Sequence, residues 1–184
     1  PPKYWRARRP VASRRYCQGG AVALCTAADI TTSDAKTASA NNATGAEPRR
    51  TNVPGHDEAH VVDAWQVLQG KANVGGSVVI ADWRSDWIGL GLAEMLARDG
   101  RRVRLCVNGY MAGQNIQAYV RDHWLGLLHG LGVEIIPMAR LAGTDADTVY
   151  FEHTASNAPF ECREVETLVL SLGHDSDTRL ERDL

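Results

Sequence analysis

The run Ser77-Val-Val-Ile-Ala-Asp82 constrains this chain more than any other segment. A short unbroken apolar run between Gly75-Gly76 and polar residues is the pattern of a strand buried on both faces, and such strands belong to covered parallel sheets. The next segment keeps to that plan. Ile88 to Arg98 carries Leu92, Met95 and Leu96 at helical spacing and stops at Gly100. Arg102 to Asn108 is a second strand. Ile116 to Leu131 predicts a longer helix with Ile116, Val120, Trp124, Leu127 and Leu131 along one face, ended by Gly132. Val133 to Pro137 is a third strand. Thr148 to Thr154 and Phe160 to Arg163 read as a hairpin around Ser156-Asn157-Ala158-Pro159, and Val165 to Leu170 as a last strand before Gly173. Upstream, Val53-Pro54-Gly55 marks a turn. His60 to Leu68 predicts a short helix with Val61, Val62, Trp65 and Leu68 on one side, and Gly70 to Gly76 a loop.

Strands alternating with helices imply an α/β fold, here a Rossmann-like three-layer domain with a parallel sheet and a β-hairpin insert. The chain has 184 residues, 44% of them hydrophobic, which suffices for one ordinary domain and excludes collagen-like, disulfide-scaffold and wholly disordered classes. Near neutrality hides a split. Residues 1–50 carry nine Lys/Arg against three Asp/Glu, whereas residues 51–184 carry eleven against nineteen. The first 28 residues hold six basic and no acidic side chains, and Ala27 to Asn42 lacks apolar periodicity. Residues 1–42 are therefore expected to be a disordered or foreign basic leader. Opening on Pro1-Pro2 rather than Met, the chain is expected to be a processed product or a piece of a longer protein.

In a doubly wound sheet the ligand sits beyond the carboxyl ends of the strands, first at the loop after the first strand. A pyrophosphate there needs G-x-G-x-x-G, because it approaches bare backbone at a helix N-terminus. This chain has Asp82-Trp83-Arg84-Ser85-Asp86-Trp87-Ile88-Gly89 instead. Asp82 and Asp86 are expected to repel a pyrophosphate, and Trp83 and Trp87 to fill its space. The ribose-holding acid at the end of the second strand is replaced by Asn108. A closed nucleotide site follows, and NAD(P) is not expected as a cofactor. The alternative is a changed ligand whose phosphate meets Arg84.

Other chemistries are weaker. Cys17, Cys25, Cys106 and Cys162 form no C-x-x-C pair and no cluster-binding run, so neither a metal site nor an iron–sulfur site is expected within the chain. Cys106, between Leu105 and Val107, is expected to act as a small hydrophobe. His123 and His129 stand about 240° apart on a helix and cannot share an ion. Ser171 and His174 lack a nucleophile elbow. Trp65 and Trp124 are expected in the core. No apolar run reaches membrane-spanning length, and the basic leader carries no nucleic-acid-binding pattern. A reducing, cytoplasmic setting is expected.

The segment Ala43-Thr-Gly-Ala-Glu-Pro-Arg-Arg-Thr-Asn-Val-Pro-Gly55 resembles the ATG-x-x-P-x-x-x-x-PG stretch of flavin disulfide-reductase-like domains, which ends their FAD-binding half. Val165 to His174 resembles the second such strand. More narrowly, residues 79–94 (Val-Ile-Ala-Asp-Trp-Arg-Ser-Asp-Trp-Ile-Gly-Leu-Gly-Leu-Ala-Glu) and 119–126 (Tyr-Val-Arg-Asp-His-Trp-Leu-Gly) make residues 43–180 similar to the C-terminal region of the trimethylamine dehydrogenase and 2,4-dienoyl-CoA reductase family, nearest its N-methylproline demethylase-like branch. That resemblance implies an FAD/NAD(P)-binding-like fold, with residues 43–60 ending the FAD-binding half and 61–184 forming a degenerate NAD(P)-binding-like domain. It implies an oxidoreductase acting on methylated amines, whose FMN barrel and four-iron cluster lie outside this chain. The missing barrel and an electron-transfer flavoprotein are the implied partners. No residue of this chain inherits a catalytic role. Thr44, Gly45 and Ala46, with Gly173 and His174, are the positions implied to approach an FAD or ADP moiety through close backbone contact. A non-catalytic docking module using the Trp83/Trp87 loop and a small independent nucleotide-binding protein remain alternatives.

Overall fold

The computed structural model describes residues 45–177; Thr44 and the basic leader lie outside them. In chain order the elements are β1 (Ala46–Pro48), β2 (Val61–Asp63), α1 (Ala64–Leu68), β3 (Ser77–Asp82), α2 (Trp87–Arg98), β4 (Arg102–Val107), α3 (Ala118–Gly130), β5 (Glu134–Ile136), β6 (Ala139–Asp145), β7 (Thr148–His153), β8 (Pro159–Cys162), β9 (Thr167–Ser171) and β10 (His174–Ser176).

Five strands form a parallel sheet in the order β2-β9-β3-β4-β5. Its central strand, β3, is buried at all six positions, as its apolar run requires. Alternation sorts its side chains between two cores. Val78 and Ile80 point to the helices, together with Leu105 and Val107 of β4 and with Leu90, Leu92 and Leu96 of α2. Val79 and Ala81 point the other way, with Cys106 of β4, and meet Val149 and Phe151 of β7. The three layers are thus helices, parallel sheet, and a small antiparallel sheet of order β6-β7-β8. β1 and β10 form a separate two-stranded ribbon.

Three expectations need correction. The hairpin of β7 and β8 exists, but β6 extends it to three strands. Residues 139–145 hide their strand because a register shift between Leu141 and Gly143 breaks the alternation on which strand reading depends. The helix expected over His60 to Leu68 is only Ala64–Leu68. Val61 and Val62 instead pair with Leu168 and Val169 as the edge strand β2, where β-branched residues fit better. Asp63 ends that strand and caps the helix, its carboxylate accepting from the Gln66 amide at 2.8 Å while the Gln66 side chain accepts from the Asp63 amide at 3.0 Å. Leu68 is then left exposed. On α3 the buried position is Leu128, one residue beyond the expected Leu127; Ile116 is buried ahead of the helix, and Val120, Trp124 and Leu131 pack against the core from its edge, as does Trp65 of α1.

Candidate functional site

The β3–α2 loop sits at the carboxyl end of the central strand, where the topology places a ligand. Asp82 does not face outward from it. Its side chain turns back and is fully buried. Oδ1 accepts from the main-chain amides of Arg84 at 3.2 Å and Ser85 at 3.0 Å. Those are loop amides of the kind that cradle a phosphate in an open site. Oδ2 lies over the first turn of α2, and a Cβ on Gly89 would come within 2.3 Å of it. Gly89 is therefore the residue that lets the carboxyl group in. Burial raises the Asp82 pKa from 3.8 to about 7, opposed by the hydrogen bond from Ser85 and reinforced by the nearby Asp86.

The neighbouring strands lock this arrangement. The Trp83 amide donates to the Ser171 carbonyl at 3.1 Å, and the Asn108 amide to the Asp82 carbonyl at 2.9 Å. Asn115 of the β4–α3 loop donates from its main-chain amide to Ser85 and from its side chain to the Arg84 carbonyl. The cavity among Asp82, Trp83, Asn108 and Leu172 measures about 10 Å³, the space of one water.

Two details depart from the sequence reading. Trp83 and Trp87 do not fill the loop. They are 45% and 50% exposed, and Trp87 meets Trp124 edge-on at 6.2 Å. The carboxyl group of Asp82 does the filling. Arg84 is likewise engaged within the chain: its Nε lies 3.0 Å from Asp86 Oδ2, and its stem covers Gly173, where a Cβ would come within 2.4 Å of Cδ. Asp86 in turn caps α2 by accepting from the Ile88 amide at 3.0 Å. The contact between Arg84 and Gly173 had no signal in the sequence. Nor did the turn of Asp82 onto the main-chain amides of Arg84 and Ser85.

Asp82, Trp83, Arg84, Asn108 and Gly173 thus come together at one end of the sheet. Gly45, Ala46 and His174 belong to the ribbon instead. Ala46 pairs with Ser176 and Pro48 with His174. Gly45, at a φ of 99°, has open space where a Cβ would stand. Arg49 holds the ribbon to Gly173 by donating its amide to that carbonyl at 3.1 Å, and to Asp175 by an exposed ion pair at 2.9 Å. Beside the ribbon, a cleft of about 720 Å³ opens between residues 47–52 and β2, with His56, Asp63 and Gln66 on its walls. Among the described residues no group of His, Cys, Asp and Glu is arranged to hold a metal, and no helix is long and apolar enough to cross a membrane. His123 and His129 are exposed on α3.

No family model and no curated protein matches the sequence. Solved structures do. The chain is similar to 2-naphthoyl-CoA reductase in complex with 2-naphthoyl-CoA, with a TM-score of 0.68 and 24% identity over 76% of this chain and 21% of that one. It is similar to histamine dehydrogenase from Rhizobium sp. 4-9, with a TM-score of 0.67 and 20% identity over 77% of this chain and 24% of that one. The HOCl-induced flavoprotein disulfide reductase RclA from Escherichia coli matches with a TM-score of 0.59 and 21% identity over 76% of this chain and 31% of that one. The chain spans between a fifth and a third of the length of these proteins. At such identities the likeness establishes the fold: these residues form a Rossmann-like domain of the FAD/NAD(P)-binding type found in flavoprotein oxidoreductases.

Proposed function

We propose that this chain is the nucleotide-binding-like domain of a flavin-dependent oxidoreductase of the trimethylamine dehydrogenase type, acting on methylated amines as a demethylase or dehydrogenase. One observation carries the reading. The dinucleotide loop is closed from within, because the Asp82 carboxyl group takes the amides of Arg84 and Ser85 and rests on Gly89. A domain closed in this way does not use NAD(P)H as its electron donor, which suits an enzyme that draws electrons from an amine and hands them to a protein acceptor. The sequence resemblance supports the amine, and the fold shared with histamine dehydrogenase agrees with it.

The residues present do not fit NAD(P). Among the described residues, the ribbon, where Gly45 is open and the adjoining cleft offers Arg50 and His56, is the place we propose for an adenosine moiety of FAD. Gly173 is covered by the Arg84 side chain. The FMN and four-iron chemistry belongs to the rest of the parent protein, whose barrel is the partner this reading requires, with an electron-transfer flavoprotein as acceptor. The half-exposed Trp83 and Trp87 favour a second reading of the same loop as a docking surface for such a partner.

Thermal shift tests the cofactor reading. The purified chain is expected to show no shift with NADH or NADPH, whereas Asp82→Gly, which frees the loop amides, is expected to gain one. A shift of the unmodified chain with NADH or NADPH overturns the closed-site reading. A gene encoding no FMN barrel with a cysteine cluster upstream of this segment overturns the parent assignment.

A further inference from the structure

Gly173 stands where the ribbon leaves the parallel sheet, and its φ of 92° lies in the left-handed region that glycine enters without strain. The chain is anchored up to that point. Ser171 accepts from the Trp83 amide at 3.1 Å, and Leu172 is buried. From Gly173 on, the chain belongs to the ribbon. The Arg49 amide donates to the Gly173 carbonyl as the first rung, β1 and β10 pair beyond it, and the Asp177 amide donates to Gly45 at 3.1 Å as the last. The other strand returns to the body at Pro54, whose carbonyl accepts from the Thr144 amide at 3.0 Å. Among the described residues, 50–52 make no main-chain hydrogen bond to either of the larger sheets. Two short crossings, one of them a glycine, therefore join the ribbon to the body.

The cleft of about 720 Å³ lies between them, with Glu47 and Pro48 of the ribbon on one wall and Val61, Val62 and Leu170 of the parallel sheet on the other. That space leaves the ribbon room to turn. One side chain braces its root. Arg84, from the β3–α2 loop, lays its stem across Gly173 so closely that a Cβ there would collide with Cδ and crowd Cγ and Nη1. Arg84 is held in this pose from both ends. Its Nε lies 3.0 Å from Asp86 Oδ2, and Asp86 Oδ1 is itself fixed by the Ile88 amide at 3.0 Å. Its own amide donates to Asp82 Oδ1 at 3.2 Å, which fixes the main chain from which the stem reaches out. The loop that closes the dinucleotide position is thus the loop that braces the ribbon.

We propose that Arg84 is a strap. Paired with Asp86 and laid over Gly173, it holds the ribbon open above the cleft, and its release lets the ribbon swing as a unit about Gly173 and residues 50–52 and narrow the cleft. The ribbon is then a lid, and a ligand that prefers the narrow form must first undo the strap. This goes beyond the proposed function and does not depend on what the cleft holds.

The test needs no ligand. Residual dipolar couplings are measured in a stretched gel on the full chain, on Arg84→Ala, and on Asp86→Asn, which keeps an acceptor for the Ile88 amide and gives up the charge that holds Arg84. In the native chain the ribbon amides of residues 46, 47 and 174–176 are expected to fit the same alignment as β3 and β4. In both variants the ribbon couplings are expected to shrink while those of β3 and β4 stay unchanged. Cross-relaxation from Pro48 to the Leu170 methyl groups is expected to strengthen as the cleft narrows. The Arg49 and Asp177 amides are expected to keep their protection from exchange, because the ribbon stays paired as it turns. Ribbon couplings that stay on one alignment in both variants overturn the proposal. Small ribbon couplings in the native chain overturn it too, since nothing would then be strapped. So does loss of protection at Arg49 and Asp177, which would mean that the ribbon unpairs, or weaker cross-relaxation, which would mean that it swings away from the cleft.

Discussion

Asp82 carries its carboxyl group into the core and satisfies half of it with two main-chain amides. Its titration is therefore linked to folding. In the unfolded chain the group titrates near 3.8, and in the folded protein at about 7. Between those values the folded state holds the extra proton, so the stability contributed by Asp82 is fully present below the lower value, falls as pH rises, and is gone once pH passes the upper one. The span corresponds to on the order of 4 kcal/mol. Asp82→Asn keeps an oxygen for the two amides and removes the titration. Denaturant midpoints at about pH 5 and about pH 8 are expected to diverge for the native chain and to coincide for the variant. Equal slopes in both proteins would show that Asp82 titrates as an ordinary surface acid. At this scale the sequence marked Asp82 as unusual from the missing glycines alone. Where its side chain goes depends on Gly89, Ser85 and Asn108 together, and no local pattern reports that.

Among the elements, α2 shows how a few polar residues place the site. Its first turn contains no acidic residue, so the cap at Asp86 is the anchor. Asp86→Ala is expected to cost about 1 kcal/mol in chemical denaturation and to release Arg84 from its ion pair. Asp86→Asn, which still accepts from Ile88, is expected to cost clearly less. Similar losses in both variants would place the cost in the Arg84 pair rather than in the cap. The long strands and helices were legible because their periodicity spans many residues: β3, α2, β4 and the hairpin all fall where the apolar pattern puts them. β2 and β6 were not. Three residues are too few to show a period, and the bulge at Leu141 and Gly143 breaks one that seven residues would otherwise show.

For the molecule as a whole, the parallel sheet is covered by different materials on its two faces, helices on one and a second sheet on the other. Phe151 is the largest fully buried side chain of the second core and stacks on Phe160 at 5.4 Å. Phe151→Ala is expected to cost about 3–5 kcal/mol. If the layers are as separable as their cores, amide exchange rises first in β6 to β8 while β3 and β4 stay protected. Uniform loss of protection would instead mean that the two cores unfold as one.

By itself the sequence determined the α/β class, the central parallel strands, the turn at Val53-Pro54-Gly55 and the absence of a dinucleotide loop. Each of these follows from hydrophobic periodicity or from residue type over a short span, which the chain carries locally. Only the tertiary structure decided what closes the loop, which strands stand at the edges, and that Cys106 and Cys162 share one buried core. Those outcomes depend on which distant residue fills a given space once the layers pack. A close-packed interior fixes that through volume and hydrogen bonding between segments far apart along the chain.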